Sequence, residues 1–323
     1  MLSAFGHGNM IVKMDIWLLL LKFRFFLLVL LIALLIAFLS GCEKQQTDSY
    51  QVEFSKNQHT GVKEYIFGVH PLHNPQRLYK VFNPLMSYLS KNIDGVEFKL
   101  EASRNYAAFD KKLAAKHFDF SLPNPFQTVN AMDNGYDVIA KMGDDENFKG
   151  IIIVRKDSQI ERLEDLIGNI VSYPAPTALA ATMMPQYFMA VNGIDVNKDL
   201  DNRYVGSQES AIMNVFVGDS IAAATWPPPW TALKKENKQL AEQLIVQWQT
   251  PPLINNAIVA RKNISTSVKE KVAWLLANLH KSAEGMNILN PMELSQFEVA
   301  TNESYDVVRE FIIDFSTKVR PLK

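Results

Sequence analysis

Gly150-Ile151-Ile152-Ile153-Val154-Arg155-Lys156 and Asn256-Ala257-Ile258-Val259-Ala260-Arg261-Lys262 are the two stretches on which the fold turns. Each is an apolar strand that ends in Arg-Lys and leads through a polar turn into an amphipathic helix. Together they bracket the second of two strand-helix series. Read as a pair, they are crossing strands: the first leaves one lobe for another, and the second returns. Lobe one is then discontinuous, covering 64–154 and 256–323, with lobe two at 155–255. The cleft between the lobes becomes the candidate site. A chance likeness of two short strands is the alternative.

The residues outward from these stretches support an α/β chain. Tyr65-Ile66-Phe67-Gly68-Val69 reads as a buried strand. Leu78, Val81, Phe82, Leu85, Met86 and Leu89 follow at spacings of three and four, one face of a helix. Pro84 within it is expected to bend or restart the helix. Strands over 96–100, 118–122 and 138–142 then alternate with helices over 106–117 and 126–134. The second series has strands at 170–173, near Tyr204, at 221–225 and at 244–248, with helices over 178–191 and 209–217. Helices over 267–280 and 305–317 close the chain. Such succession argues for largely parallel sheets.

Ahead of this domain, Lys13, Lys22 and Arg24 precede an apolar run over 25–39, and Leu39-Ser40-Gly41-Cys42 follows. That order reads as a lipoprotein signal over 1–41 with Cys42 as the acylated residue. A spanning anchor needs about 20 apolar residues, and lengthening the run would place Lys22 and Arg24 inside it. Two or more acyl chains hold a protein at a membrane far better than one. The polar stretch over 42–63 reads as a flexible tether. Glu43 after the cysteine leans toward the outer membrane in Gram-negative sorting.

Charge and cysteine content exclude much. The chain has 33 basic and 34 acidic side chains, and removing the signal leaves a mildly acidic protein with no implied nucleic-acid surface. Cys42 is the single cysteine; once lipidated, it leaves no thiol for a disulfide, a thiolate metal site or a nucleophile. Phosphate loops, zinc-protease motifs and nucleophile elbows are absent from the sequence. His70 and His73 are an incomplete metal set, and Asp144-Asp145-Glu146 reads as a solvated acidic turn. No cofactor, metal or catalytic residue is expected, and the protein is read as no enzyme.

Ligand candidates lie in strand-to-helix loops, where open α/β sheets bind ligands beside helix N-termini. They are His70, Arg104, Asn105, Tyr106, Asn124, Phe126, Tyr173, Thr177, Ala178, Ser207, Gln208 and Trp226. Helix capping is the plainer role for any one of these loops.

From about Tyr65 onward the chain resembles the substrate-binding proteins of phosphate/phosphite/phosphonate-type ABC transporters. Phe67-Gly68-Val69 with Pro71, Tyr88-Leu89, Tyr106, Phe118-Asp119-Phe120-Ser121 with Pro125, the stretch 150–157, Leu163-Glu164-Asp165-Leu166-Ile167-Gly168 and Gly206-Ser207 carry the resemblance. It implies a two-lobed periplasmic-binding-protein type II fold, each lobe a mixed, mostly parallel sheet flanked by helices, joined by two crossing hinge strands. A small-molecule ligand and an ABC permease would be its partners, and the chain would act as a monomer on the periplasmic side. A sensory module for a membrane histidine kinase or cyclic-nucleotide enzyme is the alternative, since both need the same closure.

The departures bear on the ligand. Where phosphonate binders have Ser-Thr-Ser-Gly opening a lobe-two helix, this chain has Ala178-Leu179-Ala180-Ala181. The family's Gly-Ser-His becomes Gly206-Ser207-Gln208, and its acidic residue falls near Ile221. Each lost hydroxyl or charge-assisted bond matters by about 1–3 kcal/mol, so phosphonate affinity should drop by orders of magnitude. The expected lining is Tyr106, Phe126, Tyr173, Trp226 and Trp230 with Arg104, Asn124, Gln208 and Glu209 as polar fixers. Such a lining suits a small organic or cationic ligand at least as well as an oxyanion; burial in the core is the alternative for each aromatic.

Overall fold

The computed structural model describes residues 61–322, so the signal, Cys42 and the tether through residue 60 lie outside it. Two mixed sheets flanked by helices make up this part. In the first, β1 (Lys63–Val69) lies between β2 (Val96–Ala102) and β3 (Phe120–Leu122), parallel to both. β10 (Ala257–Arg261) is inserted antiparallel between β3 and β4 (Tyr136–Met142), and β11 (Phe297–Glu298) pairs at the outer edge of β4. In the second, β6 (Ile170–Tyr173) lies between β7 (Asp201–Tyr204) and β8 (Ala222–Thr225), parallel to both. β5 (Ile151–Arg155) runs antiparallel between β8 and β9 (Leu244–Gln249).

Both decisive stretches therefore run against the parallel majority of their sheets, β10 in company with the two-residue edge strand β11. Ile151 to Val154 and Ala257 to Ala260 are all buried, which is why both read as unbroken apolar runs rather than alternating ones. β5 pairs on both sides within the second sheet, so the lobe boundary falls before Ile151, not after Val154. The crossings are the segments that feed these strands, 143–150 outward and 250–256 back.

Hydrogen bonds tie the crossings to each other along their length. At the second sheet Gly150 N–H donates to Thr250 Oγ1 and Thr250 N–H to the Gly150 carbonyl, both at 2.9 Å. Midway, Leu253 N–H reaches the Phe148 carbonyl at 2.9 Å. At the first sheet Asn255 Nδ2 donates to the Gly143 carbonyl at 2.7 Å, and its N–H to Asp145 Oδ1 at 2.9 Å. Asn255 Oδ1 in turn accepts the N–H of Asn256 at 2.8 Å. Tyr305, fully buried, donates its hydroxyl to the Asn255 carbonyl at 2.6 Å. The acidic turn thus serves the hinge, with Lys141 Nζ also 2.9 Å from Asp145.

The helices follow their apolar periods with instructive exceptions. α1 (Pro75–Asn92) runs unbroken through Pro84. Pro84 and Lys80, four residues earlier, are both exposed, so water meets the carbonyl that the missing N–H leaves free. α6 (Pro227–Glu236), where the sequence reading places no helix between the strands at 221–225 and 244–248, starts on three prolines, because first-turn residues need no N–H. The terminal helix α10 (Asp306–Lys318) does not belong to lobe one alone. Arg309 pairs with Asp133 on α3 (Pro125–Asp133) at 2.9 Å. Farther along, Tyr187 donates to Asp314 at 3.1 Å, and Asn197 Nδ2 and Arg320 bond carbonyls at 2.7 Å across to and from the second lobe.

Asn255→Ala should lower unfolding free energy by at least about 2 kcal/mol in a urea titration, because it orphans the buried Gly143 carbonyl and Asn256 N–H.

Candidate functional site

Six strand ends converge on one cleft. From the first lobe come His70 after β1, Tyr106 at the start of α2 (Tyr106–Ala114) and Asn124 capping α3. From the second come Ala178 with Leu179, Ala180 and Ala181, Gln208 at the start of α5 (Gln208–Val217), and Trp226 capping α6. The crossings add Phe148 and Asn256. These residues bound a cavity of about 10 Å3, room for a single water molecule.

The lining is polar without being charged. His70 is buried, and its Nδ1 lies 2.8 Å from the Leu122 carbonyl. A carbonyl only accepts, so the proton sits on Nδ1 and a neutral ring leaves Nε2 as an acceptor. Burial, only partly opposed by that bond and reinforced by His73, pushes the His70 pKa down from 6.5 to about 4. Burial pushes the Tyr106 hydroxyl well above its usual range, only partly opposed by Gln208 beside it. Gln208 Oε1 accepts from Thr225 at 2.7 Å.

The helical run that opens lobe two begins with a widened turn, Leu179–Met183, leading into α4 (Met184–Val191). Its first bonds run from Thr182 and Met183 N–H to the Ala178 carbonyl, at 2.8 and 3.1 Å. The N–H groups of Leu179, Ala180 and Ala181 precede them and have no partner within the helix. The outgoing crossing packs hard against this turn: a Cβ on Gly150 would meet Pro185 at 2.6 Å and the Ala180 carbonyl at 2.7 Å.

Direct bonds hold the lobes together. Asn124 Nδ2 donates to the Thr177 carbonyl at 2.9 Å while its Oδ1 caps α3. His73 Nδ1 lies 3.2 Å from Glu209, and Arg77 lies 2.8 Å from Glu236. Burial raises the Glu209 carboxyl, but the His73 bond and charge outweigh it and hold the group below its usual range.

Of the candidates, His70, Tyr106, Asn124, Ala178, Gln208 and Trp226 surround the cavity. Arg104 is exposed, and Asn105 and Ser207 are helix caps that accept from Ala108 and Ser210. Thr177 turns its carbonyl to Asn124. Phe126 and Tyr173 belong to the main core, Tyr173 against Tyr204 at 5.7 Å, and Trp230 to the second lobe's smaller core. Glu209 is spent on His73. Phe148, Leu179, Ala180, Ala181 and Asn256 were not among the candidates; Phe148 packs edge-on against Trp226 at 5.5 Å. His70 and His73 bond different partners, and among the described residues no three metal-ligating side chains cluster.

A cavity shared by two lobes and two crossings defines a two-lobed solute-binding protein that encloses its ligand between the lobes. Residues 67–305 match the family model described as ABC transporter, phosphonate, periplasmic substrate-binding protein, and the chain belongs to that family. Its members are binding proteins rather than enzymes. The probable ABC transporter phosphite binding protein PhnD1 of Prochlorococcus marinus is 24% identical over 263 residues, which cover 75% of this chain and 86% of that protein. The phosphonates-binding periplasmic protein of Escherichia coli is 22% identical over 256 residues, 76% of this chain and 75% of that one. Two solved structures share the fold. A phosphonate-transporter binding component from Pseudomonas aeruginosa has a TM-score of 0.73 at 20% identity, covering 79% of this chain and 88% of that one. PhnD1 with methylphosphonate has a TM-score of 0.72 at 23% identity, covering 77% and 97%.

The buried neutral His70 makes an acid-side prediction. The unfolded chain takes up this proton near pH 6.5 and the folded chain near pH 4, so the site's share of stability is lost as pH falls through that window. The full loss is about 3 kcal/mol. His70→Asn, which can still donate to Leu122, should flatten this part of the pH–stability curve in urea unfolding.

Proposed function

We propose that the protein captures a small ligand in the interlobe cleft and delivers it to an ABC permease, while acyl chains on Cys42 hold it at the periplasmic face of a membrane, by its Glu43 the outer one. The observation that carries this reading is the shared cavity: because both lobes and both crossings line it, contacting the ligand and closing the lobes are one event. The family supports the transport setting, and the signal-like order of residues before Cys42 supports the anchor.

The ligand differs from the dianionic phosphonates in this reading. No Lys, Arg or acidic side chain lines the cavity, and 178–181 offers backbone N–H groups where hydroxyls would be needed. The cationic ligand allowed by the sequence loses support too, since Phe126, Tyr173 and Trp230 are core residues and Glu209 is paired away from the cavity. A neutral or singly charged ligand suits this lining best.

Native mass spectrometry of the freshly purified full chain should find a retained small molecule, and cells lacking the protein should fail to take that molecule up. Normal uptake with a lost transcriptional response would instead favour the sensory module. Cys42→Ala should release the protein from the membrane fraction and abolish labelling with a fatty-acid probe; retention of both would defeat the anchor.

A further inference from the structure

Lobe one carries a second cavity, and none of its residues lines the cleft. It holds about 200 Å3 between α2 and α3, room for several waters. Asp110, Leu113 and Ala114 line it from α2, Gln127 and Asn130 from α3, and Asn134 from just past that helix. Most of these residues belong to the closing turns of the two helices, where free carbonyl ends favour positive charge.

Asp110 is the group that asks for an occupant. Its half-buried carboxylate takes one bond, from Gln127 Nε2 to Oδ1 at 2.6 Å, and Oδ2 accepts nothing among the described residues. Burial pushes its pKa up from 3.8 to about 6; the Gln127 bond opposes that shift, and no cation does. Lys112 is spent on Glu101 at 2.7 Å, and Lys116 lies over Gly135. Gln127, 1% exposed, is itself fixed: its Oε1 accepts Asn124 N–H and its own N–H donates to Asn124 Oδ1, both at 3.0 Å. The carboxylate is therefore held in place without the positive partner that a shielded charge needs.

The other walls indicate which cation. Asn134 Nδ2 donates to the Asn130 carbonyl at 2.7 Å, which leaves Asn134 Oδ1 as a further acceptor. Leu113 and Ala114 make one wall apolar. A single carboxylate, with no cluster of three metal-ligating side chains among the described residues, is a poor set for a bare metal ion. An ammonium group carries three donors on one compact charge, and a short carbon chain attached to it would cover Leu113. We propose that this pocket binds a small primary alkylammonium ion, its N–H groups on Asp110 Oδ2 and the Asn134 amide oxygen and its carbon chain against Leu113 and Ala114. The site is separate from ligand capture in the cleft and stands whether or not that reading holds.

Isothermal titration of the detergent-solubilised full chain with n-propylammonium chloride, at about pH 8 where Asp110 is ionised, provides the test. A single site with a Kd of about 0.1–10 mM is expected for an ion of so few atoms. n-Propanol lacks the charge and tetramethylammonium lacks the N–H donors; each should bind at least about tenfold more weakly. Asp110→Asn can still accept from Gln127 but should abolish binding. Ala114→Phe, at an exposed position, should abolish it independently by filling the pocket, with the melting temperature kept. Binding of tetramethylammonium or propanol as tight as that of propylammonium overturns the inference. So does binding that survives either substitution, or the absence of saturation by about 50 mM propylammonium.

Discussion

Everything about the cleft depends on the two crossings being bound to each other. Each lobe has its own sheet, and only 143–150, 250–256 and the terminal helix pass between them. Separately, two such segments would let the lobes slide as well as swing. Bonded at Gly150–Thr250, at Phe148–Leu253 and at Asn255–Gly143, they form a narrow ribbon that can bend or twist but not shear. Closure then brings the same strand ends face to face each time, as a hinge must for a ligand to be recognised by both lobes.

The contacts that close the cleft differ widely in weight. Arg77–Glu236 has a mostly exposed carboxylate, and pairs of that kind contribute about 0–1 kcal/mol. Asn124–Thr177 and His73–Glu209 are better shielded, yet each mainly replaces water with a protein partner, about 1 kcal/mol net for an ordinary bond. Against them stand the buried Asn256 Oδ1, which has no partner among the described residues, and the N–H groups of the lobe-two turn that have no partner within the helix.

The architecture was legible because its signals are local. Strand-helix alternation, the paired Arg-Lys stretches and the helix-start residues all survive in a single sequence, and the strand-end loops named the right edge of each sheet. Three aromatics misled for a physical reason. Tyr173, Phe126 and Trp230 sit near strand ends, but a large ring buried in a core and one facing a ligand leave the same mark in the chain. Arg104 carries a charge that water solvates more cheaply than the cleft could. Asn256 was invisible because its significance is an absence: the polar groups around it are committed to Met142, Asn255 and each other, which no spacing reveals. The helix over 227–236 was missed for a subtler reason, since three prolines suit a first turn and a loop equally, both making little demand for N–H donors.

The turn over 178–181 has a structural setting beyond the loss of hydroxyls. Gly150 approaches the Ala180 carbonyl so closely that even a Cβ on the glycine would clash, and Pro185 presses from the next turn. The bare glycine lets the widened turn sit directly on the outgoing strand, while the first N–H groups of the turn have no partner within the helix. Hydroxyl donors on side chains can rotate to suit several oxyanions; backbone N–H groups cannot. The chain has therefore exchanged adaptable donors for fixed ones, and fixed donors impose an orientation on whatever they meet.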